Sequence, residues 1–436
     1  MNYDLCFIGA GPSTMFALLK LVSKDYKGEI AIIEKGKSLK TRLPSEVING
    51  SFGAGTYSDS KLSSALDVGG VIPGLSQYKL TKYEGEILHI LNIFNDGEDM
   101  KWDETTKFDT HPSTLSWNKH NTLHVGTDRG KIIYTKIEDY LDSFPNIHFI
   151  FETEVKEVFE LVNNTYELIL DKDPTWLVTK NLVLATGQKN TLPGKLIKQF
   201  NLKSTPRAFQ LGIRVEDQMN EQYEKIIQAN YDFKLVKEYE YENGVKVRVR
   251  TFCCNSGNAH TCAEKASEGF ICFNGHAFKE LDPNNHSVNY GIMCEVEGLD
   301  KYNTKEEQIE LMKQVNTIDG WYSDNFYNDH KIGEVVLPKR KLLEGFEQLE
   351  GLYPREVIDS MLDFVKELNK LVDLSKAHYL YPETKLSGNI PELNYKTFET
   401  KQHNFYMIGD CAISRGIVKA SYTGWKFAKE FIKSGH

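Results

Sequence analysis

The feature that most constrains this sequence sits at its start. Leu5-Cys6-Phe7-Ile8 is a continuous apolar run, read as a buried strand over 3–8. Gly9-Ala10-Gly11-Pro12-Ser13-Thr14 follows at once, and residues 15–22 carry apolar side chains at helical spacing. Strand, glycine turn and helix in this order are the context a dinucleotide fingerprint requires. Gly9 permits the tight turn. Gly11 lets the main chain approach a pyrophosphate at the helix N-terminus, where free N–H groups and the helix dipole favour negative charge. Pro12 and Ser13 belong to the same turn and are taken as cofactor-binding candidates. Thr14 replaces the third glycine of the pattern, so helix and strand are expected to pack slightly farther apart. The alternative is a purely structural βαβ turn.

A second apolar strand, Ile30-Ala31-Ile32-Ile33, ends in Glu34-Lys35. Glu34 lies 34 − 11 = 23 residues after Gly11, close to the roughly 20 expected of a ribose-binding carboxylate. It can accept both hydroxyls of an adenosine ribose and would repel a 2′-phosphate. Lys35 beside it joins the binding candidates.

Two distant segments favour FAD over NAD. Near the C-terminus, Asn404-Phe405-Tyr406-Met407-Ile408 reads as a strand running into Gly409-Asp410, with an amphipathic helix expected over 416–431. A strand ending in Gly-Asp before a helix can hold the ribityl chain and pyrophosphate, with the helix dipole aimed at the flavin's pyrimidine edge. Taken alone, Gly-Asp is a common turn. The other segment, Leu182-Val183-Leu184-Ala185-Thr186-Gly187, is an apolar strand that stops at Thr-Gly. The three segments span nearly the whole chain, so the cofactor domain must be discontinuous.

Composition bounds the remaining classes. At 436 residues, the length suggests two or three domains at roughly 150 residues each. Mean hydropathy is −0.43, and no run approaches the roughly 18 apolar residues of a membrane helix. Net charge is 52 − 61 = −9, which disfavours non-specific nucleic-acid binding. Seven cysteines make an odd set with no CxxC pair, so neither a disulfide framework nor a zinc site is expected, and no metal ligands are assigned. With Met-Asn-Tyr-Asp-Leu at the start rather than a basic stretch, a reduced, cytoplasmic compartment is expected.

On these residues the chain resembles a widespread, poorly characterised group of FAD-dependent dehydrogenases, the NAD(FAD)-utilising dehydrogenases. That group is distantly related to the glutathione-reductase-like and aromatic-hydroxylase-like flavoproteins. The matching stretches are Ile8-Gly9-Ala10-Gly11-Pro12, Phe52-Gly53-Ala54-Gly55-Thr56-Tyr57-Ser58-Asp59-Ser60-Lys61-Leu62 and His124-Val125-Gly126-Thr127-Asp128. They continue with Leu211-Gly212-Ile213-Arg214-Val215-Glu216, Thr251-Phe252-Cys253 with Gly257, Glu383-Thr384-Lys385-Leu386-Ser387, and Gly409-Asp410 with Ser414-Arg415-Gly416-Ile417-Val418. The family usually has Cys-Met-Cys-Pro-Gly-Gly where this chain has Cys253-Cys254-Asn255-Ser256-Gly257-Asn258, and Gly-His where it has Gln188-Lys189. Both departures put an altered substrate in view.

The resemblance implies an α/β fold: a Rossmann-like, three-segment FAD-binding domain (1–205 and 378–436) with an inserted α+β substrate domain (206–377). It places Gly53, Ala54, Gly55 and Thr56 beside the flavin ring and the Val155 main chain at the adenine edge. Ala185, Thr186 and Gly187 fall where the chain leaves the cofactor domain, and Asp410, Gly416 and Ile417 reach the ribityl chain and the flavin O2. Lys61 is a candidate for stabilising an anionic substrate or reduced flavin, against a solvated surface lysine. Arg415 can place a cation near developing charge, against a surface arginine.

Asp128 is read as the cap of a helix over 131–141. His260 is a candidate acid–base against a structural histidine. Cys253 is a reactive candidate in the pair Cys253-Cys254, whose thiols should face opposite sides of a strand. No second dinucleotide fingerprint follows Gly11, so NAD(P)H, if it is the reductant, must use a transient site. The expected activity is hydride transfer between flavin N5 and a small organic substrate. The alternatives are a monooxygenase, a tRNA-modifying flavoenzyme, which the −9 charge disfavours, and a non-enzymatic FAD-binding scaffold.

Overall fold

In the computed structural model, all residues are described except 1, 44–45, 104, 189–190, 266–268, 279–285, 300, 303, 319–339, 387 and 436. Lys189 and Ser387, two residues of the motifs above, lie outside the described residues. The chain forms two compact units: Met1–Lys101 with Arg129–Thr205 and Gly388–His436, and Trp102–Asp128 with Pro206–Ser387.

The first unit is a mixed α/β structure on a largely parallel sheet. Its central strand β1 (Asn2–Ile8) pairs parallel with β2 (Ile30–Ile33) on one side and with Trp176–Leu184 on the other. Ile147–Ile150 adds to β2, and Phe405–Met407 adds to the last residues of Trp176–Leu184, both in parallel. The apolar runs of β1 and β2 serve this position because a parallel strand is covered on both faces. Leu5, Cys6, Phe7 and Ile30 to Ile33 are almost fully buried. The first half of Trp176–Leu184 pairs antiparallel with Tyr166–Leu170, which in turn pairs with Val155–Glu160. A register shift between Val155 and Glu157 breaks the strand's alternation, so Val155 and Val158 are the buried pair.

Helix α1 (Pro12–Val22) starts on a proline at its first turn and ends at Ser23, shortly before Asp25 takes φ +58°. Met15, Phe16, Leu18, Leu19 and Leu21 bury its apolar face. The C-terminal helix Ile417–Lys433 packs against it closely: a Cβ on Gly424 would lie 1.7 Å from the Ser13 carbonyl oxygen. Thr14 at the third-glycine position is buried, and its hydroxyl donates to the Gly9 carbonyl at 2.6 Å. The stretch from Phe52 is a short helix α2 (Gly53–Ser58) entered through Phe52 at φ +63°. Asp128 does not precede a helix; the helix begins at Thr127, and Asp128 sits in its first turn, where a carboxylate complements the dipole.

The second unit is α+β. Its sheet is antiparallel throughout, in the order Arg340–Lys341, His378–Lys385, Phe209–Gln218, Ser287–Glu297, Lys246–Gly257, Leu235–Glu240, Ser116–Trp117. Helix Arg355–Leu368 covers it with Val357, Met361, Phe364, Val365 and Leu368. The expected boundaries of 206–377 move at two places, both for pairing reasons. Trp117 pairs with Leu235, drawing in Trp102–Asp128, and His378–Lys385 is an interior strand of this sheet rather than part of the first unit.

Among the described residues, no helix is long and apolar enough to cross a membrane, and no group of three ligating side chains could hold a metal.

Candidate cofactor site

The first unit gathers most of the predicted binding residues along one edge. Ile8 is level with Ile33 and with Leu184, and Leu184 with Met407. Four neighbouring parallel strands therefore end side by side, and their continuations are Gly9–Ser13, Glu34, Ala185–Gly187 and Gly409–Asp410. Ligands of open α/β sheets sit outside this carboxyl edge. Gly11, Pro12, Gly53, Ala54, Gly55, Thr186, Gly187, Asp410 and Gly416 are all partly or fully exposed, although the strands behind them are buried.

Two glycines in the first turn have different reasons to be glycine. Gly9 is at φ +101°, and a Cβ there would lie 2.6 Å from the Ala185 carbonyl oxygen and 2.9 Å from its carbon. The protein itself forbids a side chain. Gly11 has φ −73° and ψ 179°, a conformation open to any residue. The nearest protein atom to a Cβ on Gly11 would be the same carbonyl oxygen at 3.9 Å. Neither conformation nor protein packing requires glycine there. The free side of the α1 N-terminus, with its unpaired first-turn amides, is a cradle that a Cβ would fill.

The second wall is the segment from Gly50. A Cβ on Gly53 would come 3.5 Å from Pro12 Cδ, and the Phe52 amide donates to the Ala10 carbonyl at 2.7 Å. Gly55 faces Ile417 at 3.5 Å in the same sense, so α2 and the start of the C-terminal helix are neighbours. The Gly409 amide donates to Thr423 Oγ1 at 2.9 Å, fixing the Gly-Asp turn to that helix. Arg415 Nε lies 3.6 Å from Asp410 Oδ1, and its amide donates to the Gly69 carbonyl at 2.7 Å.

Glu34 departs from the simple ribose role. Its carboxylate is buried; Oε2 accepts the Ala10 amide at 2.9 Å, and Oε1 accepts the amides of Gly36 at 2.8 Å and Gly50 at 3.0 Å. Two carboxylate oxygens offer about four lone-pair positions. Capacity remains for one hydroxyl, on Oε2, rather than for both. Lys35 Nζ lies 3.6 Å from Glu154 Oε1. Val155 is buried, and just before it the Thr153 amide donates to the Glu34 carbonyl at 3.0 Å.

Lys61 is not a solvated surface lysine: its ammonium is buried, 3.1 Å from Asp59 Oδ2. Sequence reasoning missed three features of this unit. Arg42 is buried among main-chain carbonyls. Asp59 partners Lys61. Lys419, in the first turn of the C-terminal helix, donates to the carbonyls of Leu66 (2.7 Å) and Gly70. Burial pushes the Lys419 amine down to about 8. A charged residue on an otherwise apolar helix face was the available signal for Lys419. Nothing local marks Arg42.

The other candidates belong to the second unit. Cys253 takes φ +48° in a bulge between Phe252 and Asn255, so the pair does not follow the strand alternation expected of it. Its carbonyl accepts from Arg214 Nη1 at 3.0 Å and from Asn255 Nδ2 at 3.1 Å. Cys254 is buried, its thiol donating to the Phe233 carbonyl at 3.1 Å. All seven cysteines are free thiols. Arg214 is fully buried and ion-paired with Glu383 at 3.0 Å, a structural placement. His260 is exposed, with Nε2 3.0 Å from Asn258 Oδ1.

No protein-family model matches the chain, and no curated protein matches it. Solved structures with a similar course include a flavoprotein/dehydrogenase from Cytophaga hutchinsonii, at 10% identity and TM-score 0.43, covering 99% of this chain and 79% of that one. Glycine oxidase from Geobacillus kaustophilus aligns at 11% identity and TM-score 0.44, covering 99% and 95%. PqsL, a probable FAD-dependent monooxygenase from Pseudomonas aeruginosa, aligns at 10% and 0.41, covering 100% and 86%. At this level of likeness the chemistry has to be argued from the chain's own residues.

Proposed function

We propose that this chain is an FAD-dependent oxidoreductase that moves a hydride between the flavin N5 and a small organic substrate. The observation that carries the cofactor is Gly11, a glycine that no protein atom requires, at the N-terminus of a helix on the carboxyl edge of a parallel sheet. FAD, when bound, supplies the two-electron acceptor.

The chain's own residues bind and orient. The first-turn amides of α1, from Pro12's successor Ser13 onward, take the diphosphate. Glu34 Oε2 has one lone pair for an adenosine hydroxyl, and its other bonds hold three loops in register. Gly53 to Thr56 and the Gly416–Ile417 helix start form the flavin end. There the dipole of the C-terminal helix favours negative charge on the isoalloxazine O2 and N1 edge. Asp410 holds Arg415 beside that helix start. The second unit is assigned the substrate-binding role, and NAD(P)H, if it reduces the flavin, docks transiently.

The purified protein should be yellow, and heat should release FAD, identified by mass; a colourless protein that takes up no added FAD refutes the cofactor reading. Anaerobic dithionite reduction followed by exposure to oxygen and candidate substrates tests the reaction. A bound flavin that no acceptor reoxidises would leave a binding protein rather than an oxidoreductase.

A further inference from the structure

The second wall of the cofactor cradle is held in a conformation the main chain does not favour. Gly50 has φ +125°, Phe52 φ +63° and Gly53 φ +70°. Phe52 is the costly member, because a side chain in the left-handed region crowds the following carbonyl. Such a segment persists only when its surroundings over-determine it. Glu34 holds the Gly50 amide and the Ala10 carbonyl the Phe52 amide, and one buried side chain holds the carbonyls on either side of Phe52.

Arg42 is 2% exposed. Its Nη1 donates to the Ser51 carbonyl at 2.7 Å and to the Gly53 carbonyl at 3.1 Å. Nη2 donates to the Val47 carbonyl at 2.5 Å and Nε to the Glu46 carbonyl at 2.7 Å. The guanidinium lies 4.0 Å over the Tyr57 ring, and the Tyr57 hydroxyl returns a bond to the Arg42 carbonyl at 3.0 Å. Only a planar fork of five donors can hold this many carbonyls at once; an ammonium cannot. Its grip on Ser51 and Gly53 brackets Phe52, whose amide is tied to the Gly9–Ser13 turn through the Ala10 carbonyl at 2.7 Å.

We propose that Arg42 is a positioning residue for the cofactor: its guanidinium fixes the main chain of Gly50 to Gly53 against Gly11 and Pro12, and so shapes the wall the flavin nucleotide rests on. This rests on the FAD reading. Arg42 acts through main-chain atoms, so its loss should change how the nucleotide is held more than whether the sheet folds.

The test compares wild type, Arg42→Met and Arg42→Lys as apoproteins titrated with FAD, following affinity and the visible circular dichroism of the bound flavin. Losing several charge-assisted bonds to the wall should weaken FAD binding by about 30-fold or more in Arg42→Met. Arg42→Lys, which keeps the charge but not the fork, should lose about tenfold. In both, the flavin circular dichroism should change while the far-ultraviolet spectrum of the apoprotein stays that of wild type. If Arg42→Met does not fold, Arg42→Lys carries the same comparison. Variants that bind FAD as wild type does, with the same flavin spectrum, overturn the assignment whatever their melting temperatures. Wild-type apoprotein that takes up no FAD overturns the cofactor reading instead.

Discussion

Replacing Gly11 with alanine separates what the protein needs from what its ligand needs. At φ −73° and ψ 179°, with 3.9 Å to the nearest protein atom, a methyl group fits without strain. Two small terms then oppose each other. Alanine restricts the unfolded chain, worth about 0.4–1 kcal/mol in favour of folding. It is also a poorer N-cap than glycine, which costs about as much. The apoprotein should therefore keep its stability within about 1 kcal/mol, a melting shift of no more than about 4 °C for a unit of this size.

FAD binding should respond quite differently. The methyl would occupy the space at the α1 N-terminus and remove at least one charge-assisted amide bond to the diphosphate, about 1.5–3 kcal/mol. That corresponds to roughly 10- to 150-fold in Kd. Gly9→Ala is the contrasting control, since its Cβ would meet the Ala185 carbonyl oxygen at 2.6 Å in a left-handed conformation. Strain and overpacking together should cost about 2–6 kcal/mol in the apoprotein itself. Calorimetric FAD titration and thermal melts of the apoproteins read both quantities. Gly11→Ala that binds FAD like wild type, or whose apoprotein melts as low as Gly9→Ala, refutes the reasoning.

Three further perturbations follow from the packing of the first unit. Lys61→Met strands the buried Asp59 carboxylate without its ammonium and should lose about 3 kcal/mol or more in urea unfolding, whereas a solvated lysine would change stability by no more than about 0.5 kcal/mol. Gly424→Ala drives a Cβ to 1.7 Å from the Ser13 carbonyl oxygen, so the α1 and C-terminal helices must separate; a loss of about 1–3 kcal/mol is expected, and an unchanged melting temperature would contradict the contact. Lys419 titrates near 8 when folded and 10.5 when unfolded, so between those values the unfolded chain holds the extra proton and stability gains with rising pH. The stability of wild type minus that of Lys419→Met should therefore climb from pH 8 to pH 10.5, and a flat difference would mean the amine is not buried.

What the sequence made legible was local. The runs at Leu5 and Ile30 could be placed as interior parallel strands because a strand covered on both faces needs no polar alternation. The helix after Gly11 could be placed because proline and glycine punctuate its start. The rest was hidden by distance along the chain. Trp117 pairs with Leu235, which carries a 27-residue stretch into the second unit, and neither strand advertises the other. Glu34 was visible as an acid at the right spacing. Its partners, however, are amides at Ala10, Gly36 and Gly50, and amides have no sequence signature. Cys253 and Cys254 were expected to alternate, and a bulge fixed by Arg214 and Asn255 broke the alternation.

Glycines show most clearly what separates a pattern from a site. Gly9, Gly11 and Gly424 are identical letters, and a motif assigns the first two on spacing alone. The structure gives each a different cause. Gly9 is demanded by a carbonyl oxygen and a left-handed backbone, and Gly424 by a neighbouring helix. Gly11 is demanded by neither its backbone conformation nor any neighbouring protein atom, and its better N-capping only offsets the conformational freedom it surrenders on folding. A residue that the fold does not require, placed where a helix offers amides and positive potential, points outward. That physical remainder, rather than the match to a pattern, is the ground for putting the diphosphate of FAD there.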